Sequence, residues 1–296
     1  MIVSDIIVTL RPYQWYKNLL LFLGVAFSGT IMPYEDYALS ALGFVIFCFM
    51  SGCVYILNDV VDKKKDKDHP IKGTRPVASG KLSVPVAVGV MLVLLAASGL
   101  ISYFVINLQF LMMIGLYFGL MVVYSFMLKY LVIADVLTIA VGFTVRAVAG
   151  VVVIGAMMSP WIVVCAMLLA LFMAFAKRRA EMKMLKKKAE GYRNVYKFYT
   201  VNMLEHLISA MLAATIMVYA LYCSQVHSAF MMITIPFVIY GIVKYFQLVM
   251  KEDMGAEPEK ILMRPSIILA ILLWIFSVEI VVFGWVRELY FMLGFG

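Results

Sequence analysis

The strongest constraint on this chain is a series of unbroken apolar runs, each about 16–24 residues long, separated by short charged or turn-forming stretches. Wound as a helix, a run of that length matches the hydrocarbon core of a bilayer. Lipid offers no partner to a backbone amide or carbonyl, so a spanning segment must be a helix or part of a closed barrel. A barrel would alternate polarity over segments of about ten residues, and these runs are continuous. Composition agrees: 65% of the 296 residues are hydrophobic and 14% are charged, against about 45–50% and about 25% in a soluble domain. The sequence therefore predicts an all-α, polytopic membrane protein. It excludes a soluble globular enzyme, a disordered chain and a disulfide scaffold.

The breaks between runs predict nine spans, near 18–34, 38–58, 83–103, 108–128, 132–154, 159–177, 201–223, 228–249 and 266–290. Residues 4–17 read as a short amphipathic helix leading into the first. Nothing resembles a linker or a second soluble domain, so 1–296 reads as one transmembrane domain with cytoplasmic loops near 59–82 and 178–200. The N-terminal MIVSDIIVTL has neither a basic n-region nor a small-residue cleavage site, so no cleaved signal peptide is expected. Cys48, Cys53, Cys165 and Cys223 all fall in apolar runs without metal-ligand spacing, and read as small buried hydrophobes.

The net charge is +8, and its distribution points to membrane orientation, with no nucleic-acid partner. The loop after the second span carries Lys63, Lys64, Lys65, Lys67, Lys72, Arg75 and Lys81, and the loop after the sixth runs from Lys177 to Lys197. Arg11, Lys17, Lys129, Lys244, Lys251, Lys260 and Arg264 share that side if there are nine spans. The opposite loops hold Glu35, Asp36, Arg287 and Glu288. The positive-inside rule then puts the N-terminus and the basic loops in the cytoplasm. A cell membrane of a prokaryote is the simplest host.

Residues 58–80, NDVVDKKKDKDHPIKGTRPVASG, carry the most chemistry. Asp59, Asp62 and Asp66 stand at i, i+3 and i+7, within about 60° of one another on a helix. With Asn58 they form an oxygen-donor set suited to Mg²⁺, which binds through carboxylates and substrate phosphates. Nearby lysines would meet the remaining phosphate charge. A solvated loop of mixed charge is the plain alternative; the position of Asn58 and Asp59 at the end of an apolar span favours the site. Asp68 reads as solvated charge, and His69 as a turn residue before Pro70.

Residues 124–150 hold the second group, Tyr124, Lys129, Asp135 and Arg146. Arg146 lies deep in an apolar run, where an ionisable group is costly and marks a candidate functional site; a structural interhelical pair is the alternative. Asp135 is a candidate to join the metal site. In LRPYQWYKNLL, Trp15 and Tyr16 are ordinary interfacial anchors. In 176–194, Lys177, Arg178 and Glu181 are best placed to reach a cytoplasmic cavity, while Lys183 to Lys188 read as orientation and lipid attraction. His206 and His227 read as structural.

The NDxxDxxxD pattern at Asn58, Asp59, Asp62 and Asp66, together with the 124–150 block, resembles the UbiA superfamily of intramembrane prenyltransferases. Within it, RPYQWYKN, DHPIKGTRPVASG, YSFMLK and GFTVRAVAG are most similar to the branch of decaprenyl-phosphate phosphoribosyltransferases. The resemblance implies nine transmembrane helices around a central cavity open to the cytoplasm. It implies Mg²⁺ as cofactor and transfer of ribose 5-phosphate from 5-phosphoribosyl 1-diphosphate to a polyprenyl phosphate. It places Asn58, Asp59, Asp62 and Asp66 at the metal, with Asp59, Asp62 and Asp135 as catalytic residues. Lys17, Asn58, Lys72, Arg75, Tyr124, Lys129 and Arg146 are then candidate substrate contacts; Arg11 and Lys17 are open between the lipid phosphate and the sugar phosphate. One departure stands in GAEPEKILMRPSII, where Met263 occupies the place of an expected Asp, so this loop is not assigned to the metal.

Two other readings bear weighing. An ordinary prenyltransferase of the superfamily would move a polyprenyl group from its diphosphate to an aromatic or lipid-precursor acceptor; the extra cations Lys17, Lys72, Arg75 and Lys129 favour a sugar-phosphate donor instead. A transporter would explain many spans and an intramembrane Arg, but not a carboxylate triad at a cytoplasmic mouth, and no inverted repeat of broken helices is evident. The DGxxAR pattern of CDP-alcohol phosphotransferases is absent.

Overall fold

The computed structural model describes residues 2–26, 33–67, 72–156, 159–185, 194–225, 229–282, 284–285 and 292. Among the described residues the regular structure is entirely helical. Helix α1 (Ile2–Leu10) stops at Arg11, whose φ of 53° and ψ of 61° are left-handed. Pro12 accounts for the stop, because its ring clashes with helical geometry at the preceding residue. The chain then winds as a 3-10 helix over Pro12–Phe22, 11 residues where runs beyond about 3–4 are uncommon, and closes with a helical turn at Leu23–Ala26. The amphipathic helix expected over 4–17 is thus two segments meeting at Arg11. The first predicted span, 18–34, falls on the end of the 3-10 helix, on Leu23–Ala26 and partly outside the described residues.

Eight helices among the described residues are long and apolar enough to cross a membrane. They are α2 (Tyr34–Val61), α3 (Val84–Ile101, prolonged by a π-helical turn at Ser102–Ile106), α4 (Leu108–Phe126), α5 (Ala134–Val153), α6 (Pro160–Leu185), α7 (Val201–Gln225), α8 (Ile235–Lys251, led in by a 3-10 helix at Ala229–Thr234) and α9 (Pro265–Val282). They correspond to the second to ninth predicted spans. Proline opens α3, α6, α8 and α9, where its missing N–H costs nothing. Asn107 caps α4: its side-chain oxygen accepts from the Phe110 amide at 2.7 Å, and its amide nitrogen donates to the Val152 carbonyl at 3.0 Å. This one side chain satisfies a free helix-end donor and ties α4 to α5.

Among the described residues, contacts divide the chain into two compact units, one drawn from 2–26, 33–129 and 145–156, the other from 130–144 and those from 159 onward. The core of the first gathers Leu21, Ile46, Phe47, Phe110, Tyr117 and Val145. Phe47 packs between Phe110 and Tyr117, at centroid distances of 5.8 and 5.5 Å. Beside it, backbone meets backbone: a Cβ on Gly150 would lie 2.0 Å from the Leu21 carbonyl oxygen, and one on Gly24 would lie 2.4 Å from that of Gly150. Small residues permit such close approach between membrane segments.

In the second unit α6 lies along α7, around a core that includes Phe172, Phe175, Leu204, Ile208 and Tyr245. Helix α6 runs to Leu185, so the loop expected from 178 begins later. The reason is tertiary: Arg178 and Arg179 are buried, and ion pairs to Asp135, Glu205 and Asp253 hold them on the helix. Residues 186–193, with the lysine run 186–188, lie outside the described residues, as do Asp68, His69, His227, Arg287 and Glu288. All four cysteines are free thiols; Cys48, Cys53 and Cys223 are buried and Cys165 half-buried.

Candidate active site

Helix α2 does not simply end at Asp62. Asp62 has φ −89° and ψ 4°, which interrupts the helix, yet its amide still bonds the Asn58 carbonyl and the Asp66 amide still bonds the Asp62 carbonyl, at 2.9 and 2.8 Å. A short helix, Lys63–Lys67, follows. Helical phase therefore carries across the break, and Asp59 and Asp66, seven residues apart, stay on one face. Both are nearly buried, at 2% and 4% exposure.

One guanidinium joins them. Arg75 Nη1 lies 3.1 Å from Asp59 Oδ1 and 2.7 Å from Asp66 Oδ2. Asp59 Oδ1 accepts a second bond, from Arg11 Nη2 at 2.5 Å, and Lys72 Nζ stands 3.9 Å from Asp66 Oδ1. Both arginines precede a proline. Arg75 is extended (φ −61°, ψ 143°) at the start of the short helix Pro76–Ser79, as a residue before proline prefers. Arg11 is set by the break described above, and its guanidinium also lies over the Tyr55 ring, 4.8 Å from the centroid.

Asp62 parts from the other two carboxylates. Both its oxygens accept from Lys129, at 2.9 and 3.1 Å, and Lys129 is buried. The expected convergence of three carboxylates on one point is thus not what the structure builds; the roughly 60° between Asp62 and its neighbours is enough to send it to a different cation. Asn58 Oδ1 accepts from the Ser125 hydroxyl at 2.7 Å. Tyr124 sits half-buried on the same last turn of α4.

Arg146, 6% exposed, donates to Asn18 Oδ1 at 2.8 Å and to the Tyr117 hydroxyl at 2.6 Å. Its guanidinium also lies 4.5 Å from the Tyr117 ring centroid. Ser51 donates to the same Asn18 oxygen at 3.3 Å. Asn18 belongs to the 3-10 helix, which also presents Gln14, and Gln14 Oε1 accepts from Lys17 and Tyr55 at 2.8 and 3.0 Å. Arg146 thus pins the segment that carries Lys17.

The second unit holds its own ionic cluster. Asp135 is fully buried, with Oδ2 on Arg178 Nε at 2.9 Å. Arg178 also reaches Glu181 at 2.8 Å, and the Tyr196 hydroxyl donates to that same Glu181 carboxylate. Arg179 binds Glu205 at 2.8 Å and Asp253 at 2.9 Å, and Lys183 shares Asp253 at 2.9 Å. These cations hold Asp253 below the ordinary carboxylate pKa, the bond from Lys183 most strongly. The loop bearing Asp253 is seated by Gly255, where a Cβ would stand 2.5 Å from the Ala176 carbonyl oxygen. Ile133, left-handed at φ 68°, donates its amide to the Tyr199 hydroxyl at 2.9 Å.

Among the described residues no three His, Cys, Asp or Glu side chains are gathered closely enough to hold a metal ion. The pair Asp59 and Asp66 nevertheless fits Mg²⁺, which uses one or two carboxylates and fills its other positions with water and substrate phosphate. The nitrogen of Arg75 between the two is a resident positive charge in the place a bridging cation would take. Ser125 lies outside the sequence-derived set, and Arg11, open between the lipid phosphate and the sugar phosphate in the sequence, is found on Asp59. The Arg-Pro pairing at both 11 and 75 is the signal that could have joined Arg11 to Arg75.

Residues 19–275 match the UbiA prenyltransferase family, and the chain belongs to that family: it is an integral, multi-pass membrane enzyme of the transferase class. It is 31% identical to a decaprenyl-phosphate phosphoribosyltransferase of Corynebacterium glutamicum, over 95% of this chain and 87% of that one. It is 30% identical to the enzyme of the same name from Mycolicibacterium smegmatis, over 93% and 91%. Its fold is similar to that of a UbiA homolog from Archaeoglobus fulgidus bound to GPP and Mg²⁺, with a TM-score of 0.73, 21% identity, and coverage of 94% of this chain and 99% of that one.

Proposed function

We propose that this protein transfers the ribose 5-phosphate group of 5-phosphoribosyl 1-diphosphate to a polyprenyl phosphate and releases diphosphate, using Mg²⁺. The site faces the cytoplasm from the cell membrane of a prokaryote. The observation that carries this reading is the cluster around Asp59 and Asp66, where Arg11, Lys72 and Arg75 meet two nearly buried carboxylates. Its charge pattern suits a donor rich in phosphate, and relatives covering nearly the whole chain carry the phosphoribosyltransferase name.

Cleavage at C1 of the ribose develops positive character on the sugar and negative charge on the departing diphosphate. Asp59 and Asp66 would hold Mg²⁺, which when bound neutralises that leaving group. Arg11 and Arg75 offer planar forks that match phosphate oxygens two at a time, and Lys72 adds a point charge beside them. Lys129, held by Asp62, is a second cation for the donor's phosphates. Once both ligands are bound, these groups stand around the leaving diphosphate, so little reorganisation is left for the chemical step. The nucleophile, a lipid phosphate oxygen, is already anionic near neutral pH, so no protein base is needed. Arg146 acts by holding the 3-10 helix in place, and that helix offers Lys17 to a substrate phosphate; Tyr124 stands beside Asn58 and Ser125. Asp135 lies in the second unit, where it orients the Arg178 guanidinium.

The test is direct. Purified protein in detergent receives Mg²⁺, radiolabelled 5-phosphoribosyl 1-diphosphate and a polyprenyl phosphate, and label is sought in the lipid phase. Label that requires Mg²⁺ and vanishes in Asp62→Ala is the expected result. Consumption of a polyprenyl diphosphate with an aromatic acceptor, and no lipid label, would replace this reading with an ordinary prenyltransferase.

A further inference from the structure

The carboxylates assigned to the metal are already occupied by the protein's own cations, and their arrangement has a consequence for binding. Asp59 Oδ1 accepts from two guanidiniums, and one nitrogen of Arg75 bridges Asp59 to Asp66. A divalent cation arriving alone must take these oxygens from Arg75 and Arg11. The displaced guanidiniums then face a like charge at short range beside two buried carboxylates, where repulsion is stronger than in open water. A diphosphate arriving alone finds the same guanidiniums already committed, with two carboxylates behind them.

We propose that Arg75 and Arg11 stand in for the metal at Asp59 and Asp66, so that divalent cation and diphosphate bind this chain as one coupled ligand. With both present, the carboxylates pass from arginine to metal, and the released forks gain phosphate oxygens to hold. Neither exchange leaves a buried charge without a partner, which either ligand alone would do. The coupling is reciprocal: the metal raises the affinity for diphosphate by the factor that diphosphate raises the affinity for metal. The inference rests on the metal–diphosphate reading of this site. It adds that arginine is what forbids the metal-only state.

The experiment uses full-length protein in detergent, with Mn²⁺ and inorganic diphosphate as probes. Binding is followed by the paramagnetic resonance of Mn²⁺ at matched free metal concentration, with and without diphosphate. In the wild type, diphosphate should tighten Mn²⁺ binding by at least about tenfold. Arg75→Gln should bind Mn²⁺ alone about tenfold more tightly than the wild type, with little further gain from diphosphate. Arg75→Lys, which keeps the charge but not the fork, should keep Mn²⁺ binding alone as weak as in the wild type, with a smaller gain from diphosphate. Arg11→Gln relieves Asp59 by the other route and should shift metal-only binding in the same direction if Arg75→Gln does not fold. A merely structural arginine would give the opposite sign, with weaker metal binding in both Gln variants. That result, or unchanged coupling, overturns the inference and leaves the proposed function standing. If the wild type binds no Mn²⁺ even with diphosphate, the metal–diphosphate reading itself falls.

Discussion

Replacing Arg146 by Met separates two roles for a buried arginine. The side chain makes two short hydrogen bonds, to Asn18 and Tyr117, and stacks on the Tyr117 ring. Bonds to a charged group contribute about 1.5–3 kcal/mol each, and a desolvated cation–ring contact about 2 kcal/mol. Against this, Met is spared the several kcal/mol that burying a charge costs. The expected net loss is about 2–3 kcal/mol, because the Tyr117 hydroxyl also loses this partner, while the Asn18 oxygen keeps the Ser51 hydroxyl. In a chain of this size that is a fall in Tm of roughly 4–10 °C, measurable by thermal unfolding in detergent. The loosened part should be the 3-10 helix Pro12–Phe22, so limited proteolysis should cut there first. Arg146→Met with wild-type Tm and wild-type cleavage, but with lost diphosphate binding, would refute this reasoning. It would make Arg146 a substrate contact, as the sequence suggests.

Three further outcomes are expected. Gly150→Ala should be more damaging than its size implies, since the new methyl would stand 2.0 Å from a carbonyl oxygen; overpacking of this kind costs about 1–3 kcal/mol or more, and a Tm equal to wild type would contradict the close contact. Asp59→Asn and Asp66→Asn should each lower label transfer by at least about 100-fold, the scale of losing one electrostatic contribution to a transition state, with detergent gel filtration checking that the variants remain monodisperse. Asp253 is held below its ordinary pKa by Lys183 and Arg179, so its contribution to stability is present above the unfolded carboxylate value and is lost as pH falls through the folded one. The Tm of Asp253→Asn should therefore lie below wild type near neutral pH and converge with it in acid.

Much of this architecture is legible in hydropathy, because lipid leaves the backbone few options. Eight of the spans follow from apolar length alone. The first lies partly outside the described residues; where it is described, Arg11-Pro12 redirects the chain and the following residues wind as a 3-10 helix, held by tertiary contacts such as Asn18 with Arg146. The seven-residue spacing of Asp59 and Asp66 foretold their shared face. It could not foretell that Asp62 turns to Lys129, 67 residues away. The same limit applies to Arg178 and Arg179, whose partners Asp135, Glu205 and Asp253 lie 43, 26 and 74 residues off. Periodicity reports which face a residue occupies, whereas ion-pair choice depends on which helices become neighbours.

The backbone at Arg11 sets stability and chemistry against each other. Its left-handed conformation is one that glycine or asparagine adopts with less strain, and strain of this kind is retained where the surroundings demand a particular side chain. Glycine there would relax the peptide and delete the guanidinium that reaches Asp59. A search for hardier variants under heat or harsh detergent would therefore be drawn to this position, and would collect proteins that persist longer while Asp59 keeps one guanidinium fewer. Durability alone would be a misleading guide to this residue.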